Sequence, residues 1–489
     1  MPADLTIRNA RVIDGTGMPA FDADVAVEGG RIVAVGEAPA GTREVDGTNL
    51  TLAPGFVDTH THDDGALLAH PGLEFKVSQG CTTLVVGNCG FSPFPGTTGS
   101  GGLFGRMSTD LADLDAFREA AHAAGIAANA IALIGHNAMR TAAVGPTEKR
   151  PAGIFEIATM RDWVEEAMAQ GACGFSTGLI YTPGRWASTE EVIEVAGAAG
   201  AAGGLYATHM RNEGNKLLEA VDEAIRISEE SGCLLHISHH KAAGKANWGR
   251  VVDSLAKVDE ANERGADITL DVYPYTAGSG RMIEYFNIDD PDPGLAEVIR
   301  LASCPAFPEY EGRMLVDIAA ETEEALPALV RRILTAEKGE RTICIHFTLD
   351  EADIETNLRH PLMMVGSDGI PDLSGQPHPR LFGTMPRVLG EYVRERQVLT
   401  LEEAIRRMTS LSCDRFGLTG RGRIAEGMWA DLVLFDSSTI RDKATYDDPK
   451  QASDGVVLVT VNGEVAFDHG THTGAGAGRL LRYQEENLP

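Results

Sequence analysis

A chain of 489 residues, 43% hydrophobic and 23% charged, has an ordinary globular composition and, at about 150 residues per domain, room for two or three domains. Its 71 acidic and 42 basic residues give a formal charge of −29, a field that repels a phosphate backbone and argues against nucleic-acid binding. There is no apolar run of about 18 residues to cross a bilayer, no basic-then-apolar export signal in the opening MPADLTIRNARVIDGTG, and no disulfide framework in seven scattered cysteines. The expectation is a soluble cytoplasmic enzyme acting on a small molecule, without nucleic-acid or membrane partners; oligomeric state leaves no trace in the sequence.

In chain order, Leu5 to Val12 and Ala23 to Val27 alternate apolar and polar residues, and Gly29-Gly30 turns the chain into Arg31 to Val35. Three short strands are predicted there. The far end repeats the pattern: Ala430 to Phe435 and Val456 to Val461 read as strands, and Asn462-Gly463 is a hairpin turn before Glu464 to Phe467. Two β-rich ends predict one small domain assembled from residues 1–56 and 413–489. Between them, apolar runs recur at 52–57, 82–87, 128–134, 173–176, 204–208, 234–238, 268–273 and 362–366, separated by helix-length segments such as Thr189 to Ala202 and Asn215 to Glu230. Apolar strands alternating with helices predict a parallel sheet covered on both faces, and eight such units predict an α/β fold of the (β/α)8 barrel type over 57–412. Residues 281–345, Pro-rich and containing a ninth strand candidate, Ile343 to Phe347, read as an insertion before the last barrel strand. The glycine-rich stretch 96–105 lacks the Gly-Lys-Ser/Thr of a phosphate loop and reads as a mobile loop.

Barrel active sites are built at the C-terminal ends of the strands, and five of the eight candidates end in a metal-competent residue. The first ends Asp58-Thr59-His60-Thr61-His62 and the second Gly87-Asn88-Cys89. The fifth ends Thr208-His209, the sixth Ser238-His239-His240-Lys241 and the last Ser367-Asp368. Two apart on an extended segment, His60 and His62 face the same side, as a shared metal requires and as a pair of solvated turn histidines also does. Cys89 is either a buried small side chain or a thiolate ligand. His209 and His239 lie about one βα unit apart, so their strand ends are neighbours. One Cys and two His suit a catalytic zinc whose fourth position is left to water. Asp368 is a second-metal ligand, a general base or a helix cap. Lys241 and Arg380 are cations at the mouth, placed either to clamp a substrate carboxylate or to neutralise aspartates such as Asp271 and Asp372. His136 and His240 are expected to pack behind the site, His236 within the barrel wall, and His122, His469 and His472 at the surface.

Taken together, these residues resemble the amidohydrolase superfamily: HxH on strand 1, His on strands 5 and 6, Asp on strand 8, and a terminal domain that looks like its β-sandwich. The closer resemblance is to the D-aminoacylase (N-acyl-D-amino-acid deacylase) branch. It is carried by Gly87 to Gly90, Gly174 to Leu179, Thr208 to Gly214, Ile237 to Lys241, Asp271 to Tyr275 and Gly366 to Gly369, and it covers nearly the whole chain outside 281–345. The resemblance implies one tightly bound Zn2+ on Cys89, His209 and His239, with a second, weaker position formed by His60, His62 and Asp368. It implies hydrolysis of N-acyl-D-amino acids to a carboxylate and a free D-amino acid, with zinc-activated water as nucleophile and Asp368 as general base and acid. Lys241, Arg380, Tyr273 and Ser279 would hold the α-carboxylate and Tyr181 the carbonyl oxygen; Tyr275 competes with Tyr273 in the same motif. Hydantoinase-like relatives instead bridge two metals with a carboxylated lysine on strand 4. Here the lysines between His62 and His209 are Lys76 and Lys149, neither near 173–176, and the resemblance to the D-aminoacylases implies that Cys89 takes over as the metal-binding group. In this family the insertion lies over the active site, and its acidic run Ile288 to Pro293 leaves hydrophobic, acidic and D-dipeptide substrates all open. Cyclic-amide hydrolysis and a non-catalytic barrel scaffold are the alternatives.

Overall fold

A computed structural model describes residues 2–96 and 111–484; apart from Gly96, the glycine-rich stretch expected to be a mobile loop lies outside them. The centre is a ring of eight parallel strands: β1 (Phe56–Asp58), β2 (Cys81–Val86), β3 (Asn129–Gly135), β4 (Gly174–Gly178), β5 (Leu205–His209), β6 (Leu234–Ile237), β7 (Ile268–Val272) and β8 (Met363–Val365). All residues of β2, CTTLVV, and of β3, NAIALIG, are buried, because helices cover the outer face and the barrel interior covers the other. The helices are punctuated locally. Leu114–Ala124 starts at Asp113, whose side chain accepts the Ala116 N–H, and stops at Gly125 with φ 69°. Thr189–Ala201 starts at Ser188 in the same way. Inside the ring, Val57, Val85, Ile131, Leu133, Leu205, Ala207 and Met364 cluster with Cys413, Phe416 and Leu418 from beyond the last strand.

The apolar run 52–57 divides. Thr51–Pro54 pairs antiparallel with Leu432–Phe435 in the terminal sheet, and β1 begins after Gly55, where a Cβ would lie 2.2 Å from Thr82 Cγ2. That close approach lets one chain segment pass from the terminal domain into the barrel. The terminal domain is a nine-stranded mixed sheet drawn from both ends of the chain, with its own core of Leu5, Ile7, Val25, Leu52, Leu432 and Leu458. Between β7 and β8, the strands Gly278–Arg281, Ile299–Ser303 and Ile343–His346 form a separate antiparallel sheet over Met282, Leu301, Leu315, Ile333 and Cys344. The ninth strand candidate belongs to this insertion, and Ser279 lies on its first strand. Among the described residues no helix is long and apolar enough to cross a membrane.

Candidate metal centre

The chain leaves β2 through Gly87 at φ 81°, where a Cβ would sit 2.1 Å from the Leu133 carbonyl oxygen; only glycine permits the turn there. Ser176 of β4 donates its hydroxyl to the Gly87 carbonyl and accepts the Gly90 N–H at 3.0 Å. Cys89 is thereby pinned across the mouth with φ 55°. His239 (φ 36°) and Asp368 (φ 50°) share that left-handed conformation, which costs a non-glycine residue about 1–3 kcal/mol and is concentrated at functional sites.

These turns bring remote donors together. Cys89 Sγ lies 3.3 Å from His60 Nε2, 3.5 Å from His239 Nε2 and 3.9 Å from His209 Nδ1. Two ligand-competent sets result, Cys89–His209–His239 and His60–His62–Cys89, all buried, with donor atoms within 4.8 Å of one another. Cys89 is common to both. Asp368 sits beside the second set, its Oδ1 3.0 Å from His62 Nε2 and 3.7 Å from His60 Nε2. The sulfur–imidazole donor set fits zinc. Burial pushes the Cys89 thiol well up and the His209 and His239 imidazoles down. Burial thus favours the neutral imidazoles that metal ligation uses and opposes the thiolate, which a bound cation would favour.

Two buried acids stand behind the donors, a role that sequence reasoning missed for both. Glu213 Oε1 is 3.0 Å from His239 Nδ1 and Oε2 is 3.4 Å from His209 Nε2, so one carboxylate faces both rings. Asp271 Oδ2 is 2.7 Å from His236 Nε2 and 3.6 Å from His60 Nδ1, and Oδ1 accepts the His239 backbone N–H at 2.7 Å. Such carboxylate–histidine pairs fix the tautomer and raise ligand basicity. Their place in the quoted motifs, Asn212-Glu213-Gly214 and Asp271-Val272-Tyr273, was the one available clue. His236, expected in the barrel wall, is buried there. His136 bonds Glu191, and His240 bonds Asn357 and Ser254, both away from the centre. His122 and His469 are exposed and His472 half-buried.

Lys241, read as a substrate clamp or a neutraliser of local aspartates, is engaged: Nζ donates to Glu213 Oε1 at 2.6 Å and to the His239 carbonyl at 2.7 Å, and lies 2.7 Å from His239 Nδ1. Arg380 is completely buried, with Nη2 3.0 Å from Asp368 Oδ2 and 3.3 Å from the Ser279 carbonyl oxygen. Its Nε and Nη1 have no hydrogen-bond partner, nor has the Tyr273 hydroxyl, although all are buried. The Arg380 guanidinium lies 4.5 Å from the Tyr273 ring centroid and the Lys241 ammonium 5.7 Å. Tyr275 turns away to Asp442, 3.3 Å from its hydroxyl. The Tyr181 hydroxyl is 3.2 Å from His209 Nδ1. Beside Tyr181 opens a cavity of about 500 Å³ whose lining includes Phe91, Asn137, Thr182, Arg281 and Glu284, the last two from the insertion.

A sequence profile of the amidohydrolase family matches residues 43–467. The chain is 42% identical to a D-aminoacylase of Alcaligenes xylosoxydans xylosoxydans, over 98% of each chain. It is 41% identical to an N-acyl-D-glutamate deacylase of the same organism, over 98% of this chain and 96% of that one. A crystal structure of the N-acyl-D-glutamate deacylase of Bordetella bronchiseptica, complexed with zinc and a phosphonate mimic of the tetrahedral intermediate, superposes with a TM-score of 0.91 at 38% identity, covering 99% of this chain and all of that one. With this sequence likeness along its whole length, the chain belongs to the amidohydrolase family, in the D-aminoacylase (N-acyl-D-amino-acid deacylase) branch.

Proposed function

We propose that this protein hydrolyses the amide bond of N-acyl-D-amino acids, releasing a carboxylate and a free D-amino acid. The observation that carries this is the convergence of Cys89, His209 and His239 beside a carboxylate, Asp368, and a buried guanidinium with unspent donors, Arg380. Cys89, His209 and His239 would hold the tight zinc, and His60, His62 and Asp368 would form the weaker position. Zinc, when bound, polarises the scissile carbonyl and lowers the pKa of water at that position. Asp368 accepts the proton of the attacking water and passes it to the departing amine nitrogen. Arg380 Nε and Nη1, the Tyr273 hydroxyl, Ser279 and Lys241 bind the α-carboxylate, and Tyr181 bonds the carbonyl oxygen. Arg281 and Glu284 shape the space left for the rest of the substrate.

A cyclic-amide activity built on a carboxylated lysine lacks its lysine. Lys149 is exposed, and Lys76 is buried against Asp58 and Ser367. The catalytic unit is the barrel, 57–412, and the compartment is the cytoplasm, in keeping with seven free, buried cysteines. The test is a zinc-loaded assay over paired N-acetyl-D- and N-acetyl-L-amino acids with acidic, aliphatic and thioether side chains, alongside hydantoin and dihydropyrimidine. Turnover confined to D-amino-acid amides is expected; turnover only of the cyclic amides, or of none, overturns the assignment.

A further inference from the structure

Among the described residues, hydrogen-bonded ladders join every pair of neighbouring barrel strands except β8 and β1. That seam carries His60, His62 and Asp368. It is closed by scattered contacts: Thr59 N–H to the Val365 carbonyl at 3.4 Å, Asp368 N–H to the His60 carbonyl at 2.7 Å, His62 N–H to the Gly369 carbonyl at 3.2 Å, and a single parallel bridge between Thr61 and Gly369. Beneath it lies a lysine with no exposed surface, Lys76, on the short helix Glu74–Val77. Its Nζ donates to Asp58 Oδ2 at 2.7 Å, on β1, and to Ser367 Oγ at 2.8 Å, just past β8. It lies 3.3 Å from Asp63 Oδ2. The other oxygen of Asp58 accepts the Ser367 N–H at 2.7 Å, and Ser367 Oγ accepts the Gly369 N–H at 3.0 Å. Both neighbours of Asp368 are thus tied, through one ammonium, to the strand that carries the two histidines. The fit is close: a Cβ on Gly369 would come within 3.2 Å of Nζ.

We propose that Lys76 is a positioning residue for the active site: its ammonium staples the ends of β1 and β8, holding His60 and His62 in register with Asp368. It touches neither substrate nor the ligand atoms and acts through Asp58 and Ser367. The proposal rests on the hydrolase assignment above only where turnover is the readout. A compact cation suits the task, because it is a point charge with three steerable donors and neutralises two buried carboxylates while bonding a hydroxyl. Groups one step behind a metal site, when removed, typically lower metal affinity or activity by about 10–100-fold.

The test compares wild type, Lys76→Met and Ser367→Ala as full-length, one-zinc proteins. For folded Lys76→Met, kcat falls about 10–100-fold while KM for an N-acetyl-D-amino acid moves less than about threefold. Co2+ titrated into the one-zinc protein and followed by visible absorption binds the His60–His62 position correspondingly more weakly. Ser367→Ala keeps the ion pair, loses one leg of the staple and shows a smaller loss in both readouts; if Lys76→Met does not fold, this variant decides. Lowered thermal stability with unchanged kcat and unchanged Co2+ binding per folded molecule overturns the proposal. A wild type without deacylase turnover removes the functional assignment, yet the Co2+ titration still judges Lys76.

Discussion

The surroundings of Asp368 favour its charged form, and its neighbours explain how. Burial opposes ionisation, but the Arg380 guanidinium and the hydrogen bond with His62 hold its carboxyl well below the usual range. An ionised oxygen next to the donor cluster is a proton acceptor. Asp368→Asn keeps the shape and removes that capacity, so kcat falls about 10²–10⁴-fold. Zinc stays near one per chain by elemental analysis, because Cys89, His209 and His239 are untouched; a variant that turns over at the wild-type rate removes Asp368 from the chemistry. The donors were legible in the sequence because each ends an apolar run at which a barrel fold needs no polar residue. Glu213 and Asp271 were not legible in that role, since either looks like any of the 71 acidic residues until the fold shows which imidazole it faces. Lys241 was legible as a cation at the mouth, but its pairing with Glu213 depends on how the β5 and β6 loops pack together.

At the level of elements, the strands announced themselves and the junctions did not. Runs such as β2 and β3 are apolar because both faces are covered, whereas the break at Gly55 is set by one close contact with Thr82 that periodicity does not encode. The helix–helix junctions rest on equally specific contacts. Glu191, in the first turn of Thr189–Ala201, bonds His136 Nε2 at 3.2 Å, the Ala152 N–H at 2.8 Å and the Arg140 guanidinium. Burial works against this carboxylate, yet the bonds from His136, Ala152 and Arg140 bring it from the ordinary 4.5 down to about 2. A depressed acid stabilises the fold fully above its unfolded value and loses that contribution as pH falls from there through its folded value. The contribution is on the order of 3 kcal/mol at neutral pH. Glu191→Gln is therefore expected to lower Tm at pH 7 and to flatten the dependence of stability on pH between about 4.5 and 2. Chemical-denaturation curves over that range check it, and equal slopes for variant and wild type refute it.

For the molecule as a whole, the metal centre and the terminal domain are mechanically continuous. Thr51–Pro54 is a strand of the terminal sheet, and four residues after Phe56 opens β1 the same segment delivers His60. Phe56 packs edge-on against Phe435 of the neighbouring terminal strand, ring centroids 6.3 Å apart. A cation that binds the folded donors and not the unfolded chain adds stability in proportion to the logarithm of its concentration over Kd, about 2.7 kcal/mol at a hundredfold excess. Stripping zinc with a chelator is thus expected to abolish turnover and to lower Tm by several degrees, with barrel and terminal sheet still unfolding in one transition. Calorimetry of the stripped and zinc-restored protein decides the matter: two separate transitions of which only one responds to zinc would show that the terminal sheet does not feel the metal centre, and a Tm indifferent to zinc would mean that the buried donors are not its site.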